Sequence, residues 1–559
     1  MKSFFLLIPA IIFSFSLFAQ GQKHVVFLKN KDNNPYTLSN PSAFLTQQSL
    51  DRRTKSNISL DMKDLPVTPS YISQIAGTGA DVVYSLKWFN AVVVSTNSPT
   101  VLAAIAALPF VDYIDQVLTD QPQNQGRVSG IKSTESIPPY TLMKAGPHAQ
   151  VKSANILNYG QAYNQVHMIS VDALHNLGFT GQGMMIAVLD AGFYHVDLIS
   201  AFDSLWNNNR ILGTRDFNLP GNNVFGDNMH THGTSVLSTM GANLPGEMVG
   251  TAPHASYWLL RTEVGEYEAL VEEYNWAGGA EFADSLGVDV INSSLGYTTF
   301  DNPSFNHTYA DMNGNTAPST RAGDLAASRG ILVVNSALNE GGSPWQYIGA
   351  PADGDSVFSI GAVNSSGFYA SFSSTGPTSD GRTKPDVTAQ GQGATVVSGW
   401  GSVGQGSGTS FSSPIVAGAL ACLWQSTPAF SAEQIRNAVR STASKATAPD
   451  SLYGWGIPNM LSAMTFLSTG VSEPIAQSQF TLFPMPFSTA PRLQNNLQVS
   501  ASVNVEILSI TGQTVGTKSF YFPGNTAMNL SEFNGLPSGI YFLRIYTGTS
   551  AQVIRAVKI

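Results

Sequence analysis

Three hydrophobic patterns divide the chain. Met185–Leu189 is a continuous apolar run that ends at Asp190, as expected for a strand buried in a parallel sheet. Ile415–Ala421 is apolar and rich in small residues, which predicts a buried helix. From residue 503 to residue 507 apolar and polar side chains alternate, as in strands with one buried face. These patterns predict a central α/β domain followed by a small C-terminal β-sandwich.

The segment from about residue 20 to residue 150 forms another unit. Its short apolar runs and alanine-rich stretches predict a small α+β domain. We expect strands at residues 24–28, 91–95 and 111–115, and helices near residues 69–75 and 100–108. Residues 119 to 152 are polar and contain Pro, Gly and Ser, so they predict an exposed linker where processing would occur.

Three polar residues stand where chemistry is favoured. Ser410 lies between a glycine-rich loop and the start of the apolar helix, where the N–H groups of the first turn favour an anion. Asp190 ends the buried strand, and active sites of open α/β sheets gather at that edge. His232 precedes Gly-Thr at a predicted helix start, and its imidazole can take a proton from a serine hydroxyl near neutral pH.

Each of these residues also has a structural interpretation. Serine commonly caps helices, and Asp190 could cap a loop. His230 and His232 together could suggest a metal pair, but the sequence contains no His-Glu-x-x-His motif and no cysteine cluster. We therefore predict no metal in the chemistry, favour His232 as a base, and expect His230 in a loop or at the edge of a cleft.

The order Asp190, His232, Ser410 and its surroundings resemble the subtilisin-like serine proteases. The resemblance extends to further stretches and covers about residues 155–467. These stretches are Val290–Gly296, Ile331–Gly341, Phe372–Pro377 and Lys384–Val387. The family resemblance implies a three-layer α/β catalytic domain with a parallel sheet.

The resemblance also implies a role for each matching residue. Ser410 would attack the scissile carbonyl, His232 would transfer the proton, and Asp190 would orient His232. Asn339 would stabilise the oxyanion together with the Ser410 backbone N–H, although asparagine is also a common turn residue. The substrate cleft would lie between two walls. They comprise Ser294, Leu295 and Gly296 on one side and Ser336, Ala337 and Leu338 on the other.

Four positions depart from the family pattern. Leu338 stands where glycine is usual, beside the pocket for the residue before the cut, and a leucine there could narrow that pocket. Phe411 replaces a methionine after the serine, Gln390 a proline, and Ser235 a second histidine. None of these changes removes a catalytic group, so only the specificity is in question.

The flanking regions resemble parts of exported proteases. The domain at residues 20–150 is similar to the family's propeptide, which implies a chaperone and inhibitor of the enzyme. Residues 478–559 contain stretches that resemble the C-terminal sorting domain of the Bacteroidota type IX secretion system, after a linker at about 468–479. These stretches are Phe483–Phe487, Ile510–Gln513 and Leu536–Tyr541, with Met485 in place of the family's asparagine. The alternative is an ordinary β-sandwich that stabilises the enzyme or binds carbohydrate.

Residues 1–19 predict a signal peptide, because a lysine precedes an apolar run that is too short to span a membrane. The expected destination is the cell surface or the medium, by way of the periplasm.

The chain has 28 Lys and Arg against 37 Asp and Glu, a net charge of −9 that disfavours nucleic-acid binding. Cys422 is the only cysteine, so we expect a buried, inert thiol and no internal disulfide. The oxygen-rich stretch from Asp216 to Asn228 could hold a structural calcium ion, but we favour a solvated loop.

The leading functional hypothesis is a secreted serine endopeptidase, made as a zymogen, that acts on proteins or peptides. The alternatives are an esterase-like acyl hydrolase with the same triad and an inactive surface binding protein. The intact set of Asp190, His232, Ser410 and Asn339 argues against the inactive protein.

Overall fold

The computed structural model describes residues 22–118, 156–265, 267–469, 480–483, 487–495, 500–509, 513–524, 526–547 and 550–558. The predicted signal peptide, the linker at 119–152 and residues 470–479 of the second linker lie outside them. Parts of two sorting-domain stretches, residues 484–486 and 510–512, also lie outside. The described residues divide into two compact units, one up to Met464 and the other from Thr465 onward.

The N-terminal domain is α+β, as predicted. Its four strands form an antiparallel sheet in the order β2-β3-β1-β4, and one face of the sheet packs against α2 and α3. Thr46 and Ser98 cap α1 and α3 through their side chains, and Pro69 opens α2. The elements are β1 (Lys23–Leu28), α1 (Gln47–Lys55), α2 (Pro69–Gly77), β2 (Asp81–Leu86), β3 (Ala91–Ser95), α3 (Pro99–Ala106) and β4 (Val111–Leu118).

The central domain is built on a parallel sheet of seven strands in the order β13-β12-β11-β10-β5-β9-β6. The helix pair α8 and α9 covers one face and the pair α7 and α10 the other, which gives the expected three layers. The strands are β5 (Met185–Asp190), β6 (Ile211–Asp216), β7 (Asn243–Leu244), β8 (Met248–Val249), β9 (Ser256–Arg261), β10 (Val290–Ser293), β11 (Leu332–Ser336), β12 (Phe358–Val363), β13 (Val387–Gln390), β14 (Ala394–Val397) and β15 (Val403–Gly406). The helices are α4 (Tyr163–Met168), α5 (Val171–Asn176), α6 (Asp203–Asn207), α7 (His232–Gly241), α8 (Val271–Leu286), α9 (Pro318–Ser328), α10 (Thr409–Ser426), α11 (Ala432–Thr442) and α12 (Met460–Thr469).

The predicted functional elements begin and end where the sequence placed them. β5 ends at Asp190, α7 begins at His232, and α10 begins one residue before Ser410. All three residues therefore lie at the carboxyl edge of the parallel sheet. The described helices include none that is long and apolar enough to cross a membrane.

The N-terminal domain packs on the layer formed by α8 and α9. Leu86, Trp88 and Val93 share one buried hydrophobic cluster with Trp276 and Ala280 of α8. The Tyr84 hydroxyl donates to Asn275 Oδ1 at 2.6 Å across the same contact. The N-terminal domain therefore covers the face of the central domain opposite α7 and α10.

The C-terminal unit has two antiparallel sheets around one core, which agrees with the predicted β-sandwich. Val503, Val505 and Ile507 are each 1% exposed, so the period-two pattern marks the buried face. The strands are β16 (Phe480–Phe483), β17 (Arg492–Asn495), β18 (Ala501–Ser509), β19 (Thr514–Phe522), β20 (Ala527–Asn529), β21 (Gly539–Thr547) and β22 (Ser550–Lys558). The sheets have the orders β16-β17-β20 and β19-β18-β21-β22.

Candidate active site

A buried carboxylate holds the histidine of the candidate triad. His232 Nδ1 lies 2.9 Å from both Oδ1 and Oδ2 of Asp190. The Asp190 side chain is inaccessible to solvent, and His232 is 5% exposed. Asp190 Oδ1 also accepts the Ala191 N–H at 2.7 Å, which fixes the carboxylate at the strand end. Because Asp190 accepts the hydrogen on Nδ1, Nε2 is the nitrogen that can act as a base.

Ser410 joins the nucleophile helix to one wall of the cleft. Its Oγ donates to the Ser294 carbonyl at 3.3 Å, and its own carbonyl accepts the Ser294 hydroxyl at 2.9 Å. Ser410 lies in the first turn of α10, whose N–H groups point toward the site. These contacts hold the serine against the segment that contains Ser294.

The side chain of Asn339 has a defined orientation. Its Oδ1 accepts the Thr409 N–H at 2.9 Å and the Thr409 hydroxyl at 3.0 Å. A backbone N–H can only donate, so the oxygen of the amide faces Thr409 and the Nδ2 donor faces the other way. Thr409, which the sequence analysis did not single out, therefore orients the predicted oxyanion donor.

A small pocket that opens to solvent adjoins Ser410. Its lining contains four of the six predicted wall residues and Asn339. The lining residues are Glu268, Ser294, Gly296, Thr298, Thr299, Ser336, Leu338, Asn339, Glu340 and Ser410. Leu295 and Ala337, the other two, are 3% and 0% exposed and are not among the described lining residues. Both residues lie just beyond the strand ends, since β10 ends at Ser293 and β11 at Ser336, and their side chains are buried away from the pocket.

The lining residues Glu268, Thr298, Thr299 and Glu340 were missed by the sequence analysis. Glu340 directly follows Asn339, so proximity to a motif could have found it. Glu268 comes from the loop between β9 and α8, and no spacing in the sequence pairs it with Ser410.

Three buried carboxylates, Glu263, Glu268 and Glu272, have oxygens within 4.8 Å of one another and form the one such acidic or metal-ligand group found among the described residues. Burial raises the pKa of Glu263 to about 7 and raises that of Glu272 well above its ordinary value. Glu272 accepts the N–H groups of Val264 and Ala269, both at 2.8 Å, and Glu263 accepts the Tyr297 hydroxyl. Glu272 of α8 therefore holds the backbone of the segment after β9 at Val264 and Ala269.

His230 and the departures from the family pattern have local structural roles. His230 Nδ1 accepts the His232 N–H at 3.1 Å in the loop before α7, as the loop prediction requires. The Phe411 ring lies 6.3 Å from the His232 ring, and Ser235 Oγ donates to the Val397 carbonyl at 3.0 Å. Gln390 donates to the Gly393 carbonyl at 2.9 Å.

Two other predictions concern buried polar groups. Asp216, at the start of the proposed calcium loop, already binds Arg261 at 2.9 Å and accepts the N–H groups of Asn218 and Leu219 at 2.8 Å. Cys422 is fully buried in α10, and burial raises the pKa of its thiol, as expected for an inert residue.

Comparison with known proteins places the chain among the serine peptidases. The model of the subtilase family, peptidase S8, matches residues 181–456. Subtilisin E of Bacillus subtilis is 33% identical over 304 residues, which cover 53% of this chain and 70% of that protein. Subtilisin of Bacillus pumilus is 32% identical over 304 residues, which cover 97% of that protein. The chain therefore belongs to the subtilase family.

The flanking domains also match family models. A peptidase S8 propeptide domain of Bacteroidota matches residues 23–132, and a secretion system C-terminal sorting domain matches residues 481–559. The chain is thus a secreted serine protease of the subtilase family that is made as a zymogen. The propeptide and sorting predictions are confirmed at this level.

Proposed function

We propose that the protein is an endopeptidase that cleaves polypeptides through an acyl-enzyme at Ser410. One observation carries the assignment: the buried Asp190–His232 pair, Ser410 and the oriented amide of Asn339 lie at one edge of the sheet, beside an open pocket. The extended walls on either side of the pocket favour a peptide strand over a small ester as the substrate.

Each residue then has a defined step. His232 Nε2 takes the Ser410 hydroxyl proton as Oγ attacks the carbonyl carbon, and Asp190 stabilises the imidazolium that forms. Asn339 Nδ2 and the Ser410 N–H donate to the oxyanion. His232 then protonates the leaving amine, and water repeats the sequence on the acyl-enzyme. No step requires a cofactor.

The cleft walls complete the assignment. Ser294, Gly296, Ser336 and Leu338 would contact the substrate by their side chains or Cα atoms, while Leu295 and Ala337 would contribute only backbone groups. The support is the alternation between lining and buried positions on both walls.

Ser410→Ala tests the triad. We expect loss of casein hydrolysis in a chain that still folds, because triad loss leaves only the effect of binding and the oxyanion hole. Ser412→Ala is the matched control, since Ser412 Oγ only donates to the Thr409 carbonyl within the same helix. Parent-like activity of Ser410→Ala would overturn the assignment, and hydrolysis of esters without proteins would favour the esterase alternative.

We also propose domain limits of 20–150 for the propeptide with its processing linker, 155–467 for the catalytic domain and 478–559 for the sorting domain, after a signal peptide at 1–19. In a host that lacks exported proteases, Ser410→Ala should keep its propeptide. The reason is that we expect the enzyme to cut its own linker with Ser410. A Ser410→Ala product of mature size in that host would contradict such self-processing.

The route of export is proposed to pass through the periplasm and to depend on the tail and the type IX machinery. Deletion of residues 478–559 should leave an active enzyme in the periplasm of a type IX-competent host, and fusion of the tail and the signal peptide should export an unrelated protein. Active truncated enzyme in the medium of intact cells would instead support a stabilising or carbohydrate-binding β-sandwich.

A structural calcium in the Asp216–Asn228 loop has the least support, because Arg261 occupies the Asp216 carboxylate. Equal melting temperatures in EDTA and in calcium are therefore expected. A large loss of stability in EDTA would show that calcium binds.

A further inference from the structure

Leu338 has an unusual backbone conformation beside the reacting serine. Its φ is +78°, in the left-handed region that favours glycine, and it is the only aliphatic residue among the described non-glycine residues with positive φ. A β-carbon is unfavourable there, and such outliers cluster at ligand clamps and active sites. A leucine side chain is therefore unexpected at position 338, where glycine would fit the backbone without strain.

The Leu338 side chain fills space between two glycines. A β-carbon at Gly296 would lie 2.4 Å from Leu338 Cδ2, and one at Gly349 would lie 2.4 Å from Leu338 Cδ1. Both distances are far inside van der Waals contact. The Leu338 side chain thus fills the space that would be empty if position 338, like positions 296 and 349, were glycine.

The two glycines lie on neighbouring segments, and only Gly296 belongs to the described pocket lining. Gly296 is in the first wall, and Gly349 lies beside Ala350, which pairs with Tyr297 through backbone hydrogen bonds of 2.8 and 3.2 Å. Leu338 itself comes from the opposite wall and is 8% exposed. The isobutyl group therefore packs between Gly296 of the first wall and Gly349, which adjoins that wall through the Ala350–Tyr297 pairing.

We propose that Leu338 closes the pocket for the residue on the acyl side of the cut, so that the enzyme cleaves after glycine, alanine or serine and rejects large side chains. This inference rests on the proposed endopeptidase function. The rest of the lining supports it, because Thr298, Thr299, Glu268 and Glu340 are polar and offer no apolar recess for an aromatic or branched residue.

The test uses the activated full enzyme and peptides that differ only in the residue before the cut: Ala, Val, Leu or Phe. The parent should prefer Ala to Phe by about 100-fold or more in kcat/KM, since one methylene alone is worth about 10- to 200-fold in an apolar pocket. Leu338→Gly should lower this ratio at least about tenfold by raising kcat/KM for Leu and Phe, with the Ala peptide changed by less than about threefold. Asn209→Gly is the matched control, because it also replaces a positive-φ residue by glycine but lies outside the pocket lining, and it should leave the ranking unchanged.

A second measurement needs no variant: mass spectrometry maps the cuts that the parent enzyme makes in casein. If Leu338→Gly folds poorly, Leu338→Asn replaces it, because asparagine tolerates a positive φ. Frequent parent cleavage after Phe, Leu or Tyr would overturn the proposal, as would an unchanged ranking in Leu338→Gly and Leu338→Asn. A parent that cuts no peptide and no casein would instead contradict the proposed endopeptidase function.

Discussion

Two buried aspartates, Asp190 and Asp284, show opposite uses of the same side chain. Neither is accessible to solvent. Asp190 faces His232, a partner that can gain and lose a proton near neutral pH. Asp284, on α8, faces three cations of the propeptide domain: Arg52 at 2.6 Å, Arg53 at 2.9 Å and Lys87 at 2.8 Å.

The difference lies in what each partner does during function. Burial alone would raise the pKa of Asp284, but Lys87, Arg52 and Arg53 hold it well below its ordinary range. A permanently ionised carboxylate suits recognition, because the pairing persists over the working pH range. A carboxylate that faces an imidazole instead supports a charge that appears only during the reaction.

The largest effect is expected from Asp190→Asn. An amide can donate to Nδ1 and so favours the wrong tautomer of His232, which should lower kcat by about 10⁴-fold. Secondary structure and the melting temperature should change little. The measurement is hydrolysis of a chromogenic peptide, and a loss below about tenfold would show that Asp190 does not set the tautomer.

Asp284→Asn should affect recognition and leave the chemistry intact. Removal of one member of a buried ion pair costs about 3–5 kcal/mol, which corresponds to a loss of about 100- to 4,000-fold in affinity. We expect that loss in the inhibition constant of separately added propeptide domain, with kcat of the mature enzyme unchanged. Asp324→Asn on α9 is the matched control, because Asp324 accepts only the Asp355 and Ser356 N–H groups within the enzyme. An unchanged inhibition constant would mean that the cations are not recognised through Asp284.

Asn339→Ala should lower kcat about 10²- to 10³-fold with little change in KM, because the oxyanion bond forms in the transition state. Asn339→Asp should be as harmful, since an ionised carboxylate cannot donate. Thr409→Val should have a smaller effect, because the Thr409 N–H still holds Asn339 Oδ1. Steady-state kinetics separate these cases, and a change within threefold for Asn339→Ala would show that the donor is misplaced.

The smallest predicted effect is a pH dependence of propeptide binding through Glu281. Glu281 accepts the Lys87 N–H at 2.6 Å and the Trp88 N–H at 2.8 Å, and burial raises its pKa to about 7. In the enzyme without propeptide, solvent should restore the ordinary pKa of Glu281. Binding of the propeptide then takes up a proton at Glu281. The affinity for the propeptide is therefore greatest at low pH and falls as the pH rises through about 7.

We expect inhibition to be roughly 10- to 100-fold weaker at pH 8 than at pH 5. The pKa of Lys23, at the same contact, is lowered by burial to about 8 and so contributes only at higher pH. Glu281→Gln should flatten the profile. Affinity that rises with pH in the parent would contradict the assignment.

The sequence predicted where Asp190, His232 and Ser410 lie in the fold better than it predicted the contacts around them. β3 was predicted with its observed bounds, and β5, α7 and α2 began where expected, because apolar runs and helix-start signals are local. The positive φ of Leu338 and its fit between Gly296 and Gly349 join segments that are not neighbours in sequence. The ion pairs between Asp284 and the propeptide span about 200 residues or more, and no periodicity connects such positions. The contact between Thr409 of α10 and Asn339 in the loop after β11 likewise joins two segments that are distant in sequence.

The hydrophobic cluster shared by Trp88, Val93 and Trp276 bears on the lifetime of the mature enzyme. The propeptide contributes part of the cluster against which α8 packs, and its removal, as proposed above, would take that part away. The chain without its propeptide would keep a smaller hydrophobic core on this face of α8. Its persistence in the medium is accordingly expected to be a matter of rate, governed by the barrier to unfolding more than by the equilibrium between folded and unfolded forms.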